Sequence, residues 1–284
     1  MKKALKFLLL FVSILLFSLL ILLYQFPYNK LLEKISDGSI YNFNAEKISY
    51  RPFTSLLIKN FSITDKKNND FFLWQNEKIL LNLHVFPLLH KTFYSNFEIF
   101  AYEGIITGNI KYNLLENYLE NIFIKLENIN ISKYPLQGKI IPIKFESLLS
   151  GIVKLTNSKG KYQGNAELKF IGPGLISNIT FKGMNFPDIE FESIILNFTI
   201  EDDTAIIKSI AFSGSNVTLT GSGNIKLNQP FEDSYADIML NVKPVQDSKV
   251  EINNLLSLLL CNQNKGMKIR INGPVNDPEM NIIY

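Results

Sequence analysis

Cysteine is nearly missing from this chain: Cys261 is the only one among 284 residues. One thiol excludes an intramolecular disulfide and leaves a thiolate-built zinc site without ligands. Cys261 follows Leu258-Leu259-Leu260, a setting for a buried, inert thiol rather than an activated nucleophile. Histidine is scarce too. His84 and His90 share parity on a strand, but Pro87 stands between them, and no carboxylate, cysteine or third histidine neighbours them in sequence. They read as ordinary surface or loop side chains. No Gly-x-Ser-x-Gly elbow and no Gly-x-x-x-x-Gly-Lys-Ser/Thr loop occurs, so serine hydrolysis and phosphate cradling lack their usual framework. Gly221-Ser222-Gly223 lies inside a strand pattern, where glycine marks a bulge or a close backbone approach. Asp202-Asp203 and Glu232-Asp233 sit in turn-like composition and read as solvated loops. The formal charge is only +3, with lysines scattered among acidic and amide residues. A nucleic-acid interface would need a clustered basic stripe. The expectation is therefore no enzyme, no cofactor, no metal and no nucleic acid.

What is present begins at the N-terminus. Lys2, Lys3 and Lys6 precede an apolar run from Phe7 to Tyr24, interrupted only by Ser13 and Ser18. About 20 helical residues span a ~30 Å hydrocarbon core. The lysines hold the N-terminus in the cytoplasm. A cleaved signal peptide is the competing reading, but the run ends in Leu22-Leu23-Tyr24-Gln25-Phe26-Pro27-Tyr28, without small residues before a cleavage site. Tyr24, Phe26 and Tyr28 suit the membrane interface. The division expected is a cytoplasmic tail over 1–6, a transmembrane anchor over 7–26 and one exported β-rich domain over 27–284.

Within that domain Pro27–Ile35 reads as a short amphipathic helix that Gly38 ends. Period-two alternation follows. Ile194, Leu196, Phe198 and Ile200 share one face of a strand; Val217, Leu219, Ile225 and Leu227 share another; Met267, Ile269 and Ile271 a third. Tyr162–Phe170 and Ile122–Leu126 alternate likewise, with a phase shift near Asn128 that reads as a bulge. Asn157-Ser158-Lys159-Gly160, Gly172-Pro173-Gly174, Asp202-Asp203 and Gly273-Pro274 serve as separators. Tyr112–Asn121 and Val250–Leu260 carry helical spacing. The sequons at Asn60, Asn130, Asn178, Asn197 and Asn216 are read as chance in an asparagine-rich chain.

The fold class expected is all-β: a large, mostly antiparallel sheet, curved or sandwich-like, with one or two short helices. Such a sheet packs its apolar face against another layer or curls around it. Curling would leave a hydrophobic groove, with Ile194, Leu196, Phe198, Ile200, Val217 and Leu219 as candidate ligand-lining residues for acyl chains.

The order of features resembles a known family. A lysine-flanked anchor leads to Phe26-Pro27-Tyr28 and a short helix, then to Ile48-Ser49-Tyr50-Arg51-Pro52 and Leu56–Ile63. Ser213–Leu219, Gly223–Leu227 and the closing Ile271–Met280 with its Gly-x-x-x-x-Pro complete it. This is similar to the type II secretion system protein N family (GspN) and to the wider AsmA-like envelope proteins, over nearly the whole chain. The resemblance implies a single-pass protein of the bacterial inner membrane with a periplasmic domain. It would act as a non-enzymatic scaffold of type II secretion or a related envelope-assembly system, with other subunits of that system as partners. The alternative it implies is an AsmA-like lipid-binding or lipid-transfer protein holding phospholipid in its groove.

Overall fold

The structure is a computed structural model, and it describes residues 27–51, 55–66, 72–84, 86–135, 144–158, 161–177, 180–181, 184–185, 188–215, 217–228, 234–245, 267–275 and 278–283. The expected anchor, the Val250–Leu260 helix and Cys261 lie outside the described residues. No helix among the described residues is long and apolar enough to cross a membrane.

The chain enters through helix α1 (Tyr28–Asp37), with Gly38 at its C-terminal cap as expected. The Ser36 hydroxyl accepts from the Phe43 N–H at 3.2 Å, and the Lys66 ammonium donates to the Asp37 carbonyl at 3.2 Å. These bonds fix the helix to one end of the first strand pair.

Strands then follow one another: β1 (Tyr41–Arg51), β2 (Ser55–Asp65), β3 (Phe72–His84), β4 (Thr92–Ala101), β5 (Gly104–Asn113), β6 (Tyr118–Asn130), β7 (Lys144–Ser158) and β8 (Lys161–Ser177). A two-stranded hairpin, β9 (Thr180–Phe181) with β10 (Met184–Asn185), interrupts the series. It resumes with β11 (Ile189–Glu201), β12 (Thr204–Gly214), β13 (Val217–Lys226), β14 (Tyr235–Pro244), β15 (Met267–Pro274) and β16 (Glu279–Ile283). Helix α2 (Phe86–Leu89) joins β3 to β4, and a single 3-10 turn (Ile131–Lys133) follows β6.

Apart from the hairpin, the strands form one 14-stranded antiparallel sheet whose spatial order is the chain order. Every connection is therefore a hairpin or a longer return to the adjacent position, as the alternating pattern and short spacers require. The sheet is a single open layer with β1 and β16 as its edges; the described strands do not build a sandwich of two sheets. Only twelve apolar side chains are buried among the described residues, three of them alanines, too few for the core of a two-layer domain.

Two local expectations are corrected. Tyr112–Asn121 is not a helix: it is the end of β5, a turn, and the start of β6. The Asn113 carboxamide oxygen accepts from the N–H groups of Leu115 and Glu116, each at 3.0 Å, and Asn117 takes φ 57°. This Asx turn with a left-handed asparagine closes a hairpin where the leucine spacing alone reads as helix. Gly172-Pro173-Gly174 does not separate strands either. It lies within β8, where the pairing with both β7 and β11 shifts register. A bulge is the place in a sheet interior that tolerates proline's missing N–H. The bulge near Asn128 is present, with a register shift between Leu126 and Ile129 and φ 54° at Asn128.

Candidate functional site: the apolar face of the sheet

Residues directly opposite in an antiparallel pair point to the same side, and neighbours along a strand alternate. The observed registers therefore assign each side chain to a face. Ile194 lies opposite Phe212 on β12 and Phe170 on β8, Leu196 opposite Ile210 and Leu168, and Phe198 opposite Ile207 and Ala166. Phe212 in turn faces Leu219, Leu219 faces Val242, and Val242 faces Met267. Val217, Val242 and Met267 form a buried cluster on which Leu219, Ile269 and Ile282 pack. Toward the N-terminal edge the row runs from Phe170 to Leu149, and the next row from Leu126 to Ile106, Ile99, Ile79 and Ile58. This face is thus mostly apolar from β3 to β16; on β1 and β2 it holds Ile48, Tyr50, Leu56 and Ile58 toward one end and Asn42, Asn44, Asn60 and Ser62 toward the other.

All six candidate groove residues stand on this face. Ile194 and Val217 are buried, while Leu196, Phe198, Ile200 and Leu219 are only half-buried. They make a continuous strip over β11 and β13 because β12 supplies Phe212, Ile210, Ile207 and Ala205 between them. The register between β12 and its neighbours slips near Lys208, and this bulge keeps Ile207 on the apolar side.

Glycines punctuate the same face. A Cβ added at Gly108, Gly151, Gly164 or Gly223 would come within 3.0 Å of a carbonyl oxygen of the adjacent strand, so the neighbouring backbone crowds this side of the sheet. At Gly108 the space is taken by the Phe97 ring, and at Gly174 by the Phe191 ring. Phe191 is 3% exposed. It stacks on Phe145 at 5.3 Å and tilts against Phe212 at 5.7 Å. Phe145 also meets Phe170 edge-on at 5.1 Å, so an aromatic row crosses β7, β8, β11 and β12.

The opposite face is mixed: Phe43, Phe61, Ile63 and Trp74 stand on it across β1 to β3, and polar side chains hold much of the remainder. Asn82, Asn96 and Asn109 stand in register across β3, β4 and β5. Asp237 on β14 receives both forks of the Arg270 guanidinium at 2.9 Å, and these hydrogen bonds hold its carboxyl below the usual carboxylate range. Lys78 lies 4.5 Å over the Phe100 ring. One corner differs. Trp74 meets Tyr102 edge-on at 5.4 Å, and Tyr102 meets Tyr134 at 5.7 Å. The Tyr102 hydroxyl accepts from the Gln75 N–H, and the Tyr134 hydroxyl donates to the Leu73 carbonyl. Burial pushes both phenols up from their ordinary value, partly offset at Tyr102 by the Gln75 bond.

His84 closes β3, packs at 4.8 Å on Tyr94 and lies 3.1 Å from the Asn96 amide; His90 is in the exposed turn after α2. The structure does not bring them to a shared centre, and among the described residues no group of three His, Cys, Asp or Glu side chains is placed to hold a metal. Asp202-Asp203 is a turn, as expected, and Gly221-Ser222-Gly223 lies within β13.

Sequence reasoning missed the apolar residues of β3 to β5. In β3 the run Ile79-Leu80-Leu81 puts Leu80 on the polar side, where it pairs with buried Leu57, and this blurs the alternation. No family model, no curated protein and no solved structure matches the chain.

Proposed function

We propose that this protein is a non-enzymatic binder of acyl chains, which it holds against the apolar face of its sheet. One observation carries the reading: a single-layer sheet with one mostly apolar face reaching from β3 to β16, many of whose side chains are only half-buried. With strands ~4.8 Å apart and ~10 residues per strand, the face over these twelve strands measures roughly 53 by 33 Å, or about 1,700 Å². Ordinary monomers keep their largest exposed apolar patch to ~300–600 Å². The close backbone approach at Gly108, Gly151, Gly164 and Gly223 leaves this side of an open, uncurled sheet without projecting side chains at those positions, where an acyl chain would lie against the backbone. The expected anchor over 7–26 would hold the sheet at a bacterial inner membrane, facing the periplasm, where phospholipid is at hand.

The test is photocrosslinking of the full chain with a phospholipid that carries a diazirine in its acyl chain, followed by peptide mapping. Adducts on the strands holding Leu196, Phe198 and Leu219 are expected. Adducts confined to the residues before Pro27 would refute binding by the face. Phe198→Asp should remove the adducts from β11, whereas Thr220→Asp on the exposed polar side should leave them in place. A thermal melt of each variant separates lost binding from lost fold.

A second reading rests on the open edges. β1 and β16 end the sheet without pairing to each other, and an unpaired strand can accept a strand from a partner. This supports a scaffold in type II secretion or related envelope assembly. In-cell crosslinking from Lys47 on β1 should then capture subunits of such a system, and repeated recovery of the chain alone would count against it.

A further inference from the structure

The strands have two ends, and apolar side chains project from the end remote from α1. β1 starts beside α1 and runs away from it, so β3 and β5 finish at the remote end and β4 and β6 begin there. Two neighbouring connections of the several made there are α2 with its flanks and the turn after β5; the β11–β12 turn at the same end is the acidic, exposed Asp202-Asp203. Phe86 is 84% exposed and Leu89 77%, while Leu115 is 65% exposed. Leu88 and Leu114 are exposed as well. The Leu114 N–H donates to the Lys91 carbonyl at 2.9 Å, which holds the two tips side by side. Scattered exposed apolar residues are normal, but five on adjoining tips form a patch that needs a partner.

We infer that these two tips are a bilayer-contacting end of the molecule, which seats its Phe86, Leu89 and Leu115 side chains among lipid acyl chains. Three features favour a lipid surface over a protein. The apolar groups stand on convex turns, so a folded partner would need two matching pockets, whereas a fluid leaflet yields to projecting side chains. His90 and Lys91 sit between the leucines of α2 and the start of β4 and are exposed, placing cationic or polar groups at the depth of phosphate headgroups. The apolar face also continues to these tips through Leu83, Phe93, Tyr112 and Leu119. Strands of ~11 residues put this end some 35–40 Å from α1. The exposed tips and their flanking His90 and Lys91 carry the inference even if the face proves to hold no lipid.

The experiment uses the full chain in vesicles of phosphatidylethanolamine and phosphatidylglycerol. Trp74→Phe removes the native fluorophore, and Phe86→Trp installs one at the tip. Asn281→Trp, on the polar side of β16, is the comparison. Lipids brominated in their acyl chains should quench the indole at the tip several-fold more than the indole on β16, and the tip emission should shift to the blue. Equal quenching at the two positions would overturn the proposal. So would a blue shift of the tip indole that appears in detergent without lipid and grows with protein concentration, since that assigns the tips to contact between copies of the chain. Photocrosslinking along β11 is read separately, so failure of the tips and failure of the face are distinguishable.

Discussion

Trp74 is the single tryptophan, and it sits in the corner where tyrosines cover the polar face. Tyr102 and Tyr134 have phenols raised by burial, so the folded state prefers them neutral. A group with a raised folded pKa contributes stability below its unfolded value, about 10 for tyrosine, and loses it as pH rises through the folded value. Trp74 fluorescence should therefore report loosening of this corner above pH ~10, and Tyr134→Phe should reduce that response. Asp237 has the opposite sign. Arg270 depresses its pKa, so its contribution is present at neutral pH and fades as pH falls through the depressed value. The difference in melting temperature between the native chain and Asp237→Asn should narrow on acidification, and it should be small throughout because both side chains face solvent. Asn76 is a third case. It is 3% exposed, and neither side-chain atom has a hydrogen-bond partner. Burying an unpaired amide costs about 1–3 kcal/mol, so Asn76→Leu should raise the urea midpoint rather than lower it.

At the scale of elements, legibility followed how far local pattern and tertiary pairing agreed. β11, β13 and β15 show clean alternation because one side of each is apolar and the other polar, and α1 with its Gly38 cap was readable for the same reason. Where a turn depended on a side chain bonding its own backbone, as at Asn113, the leucine spacing pointed to the wrong element. Where a proline fell in a bulge, as at Pro173, composition could not tell punctuation from strand interior. The six groove residues were legible as a shared face within their strands; that β12 joins them into one strip required the register. The close-packed glycines offer a direct check. Gly108→Ala should cost about 1–3 kcal/mol in chemical denaturation, because its Cβ would meet both the Phe97 ring and a β6 carbonyl. Gly38→Ala is the control: its φ is −81°, nothing stands closer than 3.9 Å, and its effect should be near zero.

For the whole molecule, each described strand packs on its own sheet neighbours, so the layer behaves as a stack of repeated interfaces rather than around one centre. Stability in such arrays is close to a sum of nearest-neighbour terms. Amide exchange should accordingly be slowest around β7, β8 and β11 and grow faster toward β1 and β16. Deleting β16 should fray β15 and leave protection at the centre intact, and a global collapse of protection would contradict this. Strand order equal to chain order has a consequence for how the molecule comes into being. All-β proteins fold slowly when their pairings join remote segments, but here each strand of the large sheet pairs with the sheet strand that precedes it in the chain, with only the β9–β10 hairpin set between β8 and β11. The sheet can close like a zipper from the N-terminus as the chain lengthens, and a nascent chain stopped after any hairpin already holds every partner that its finished strands require except the next.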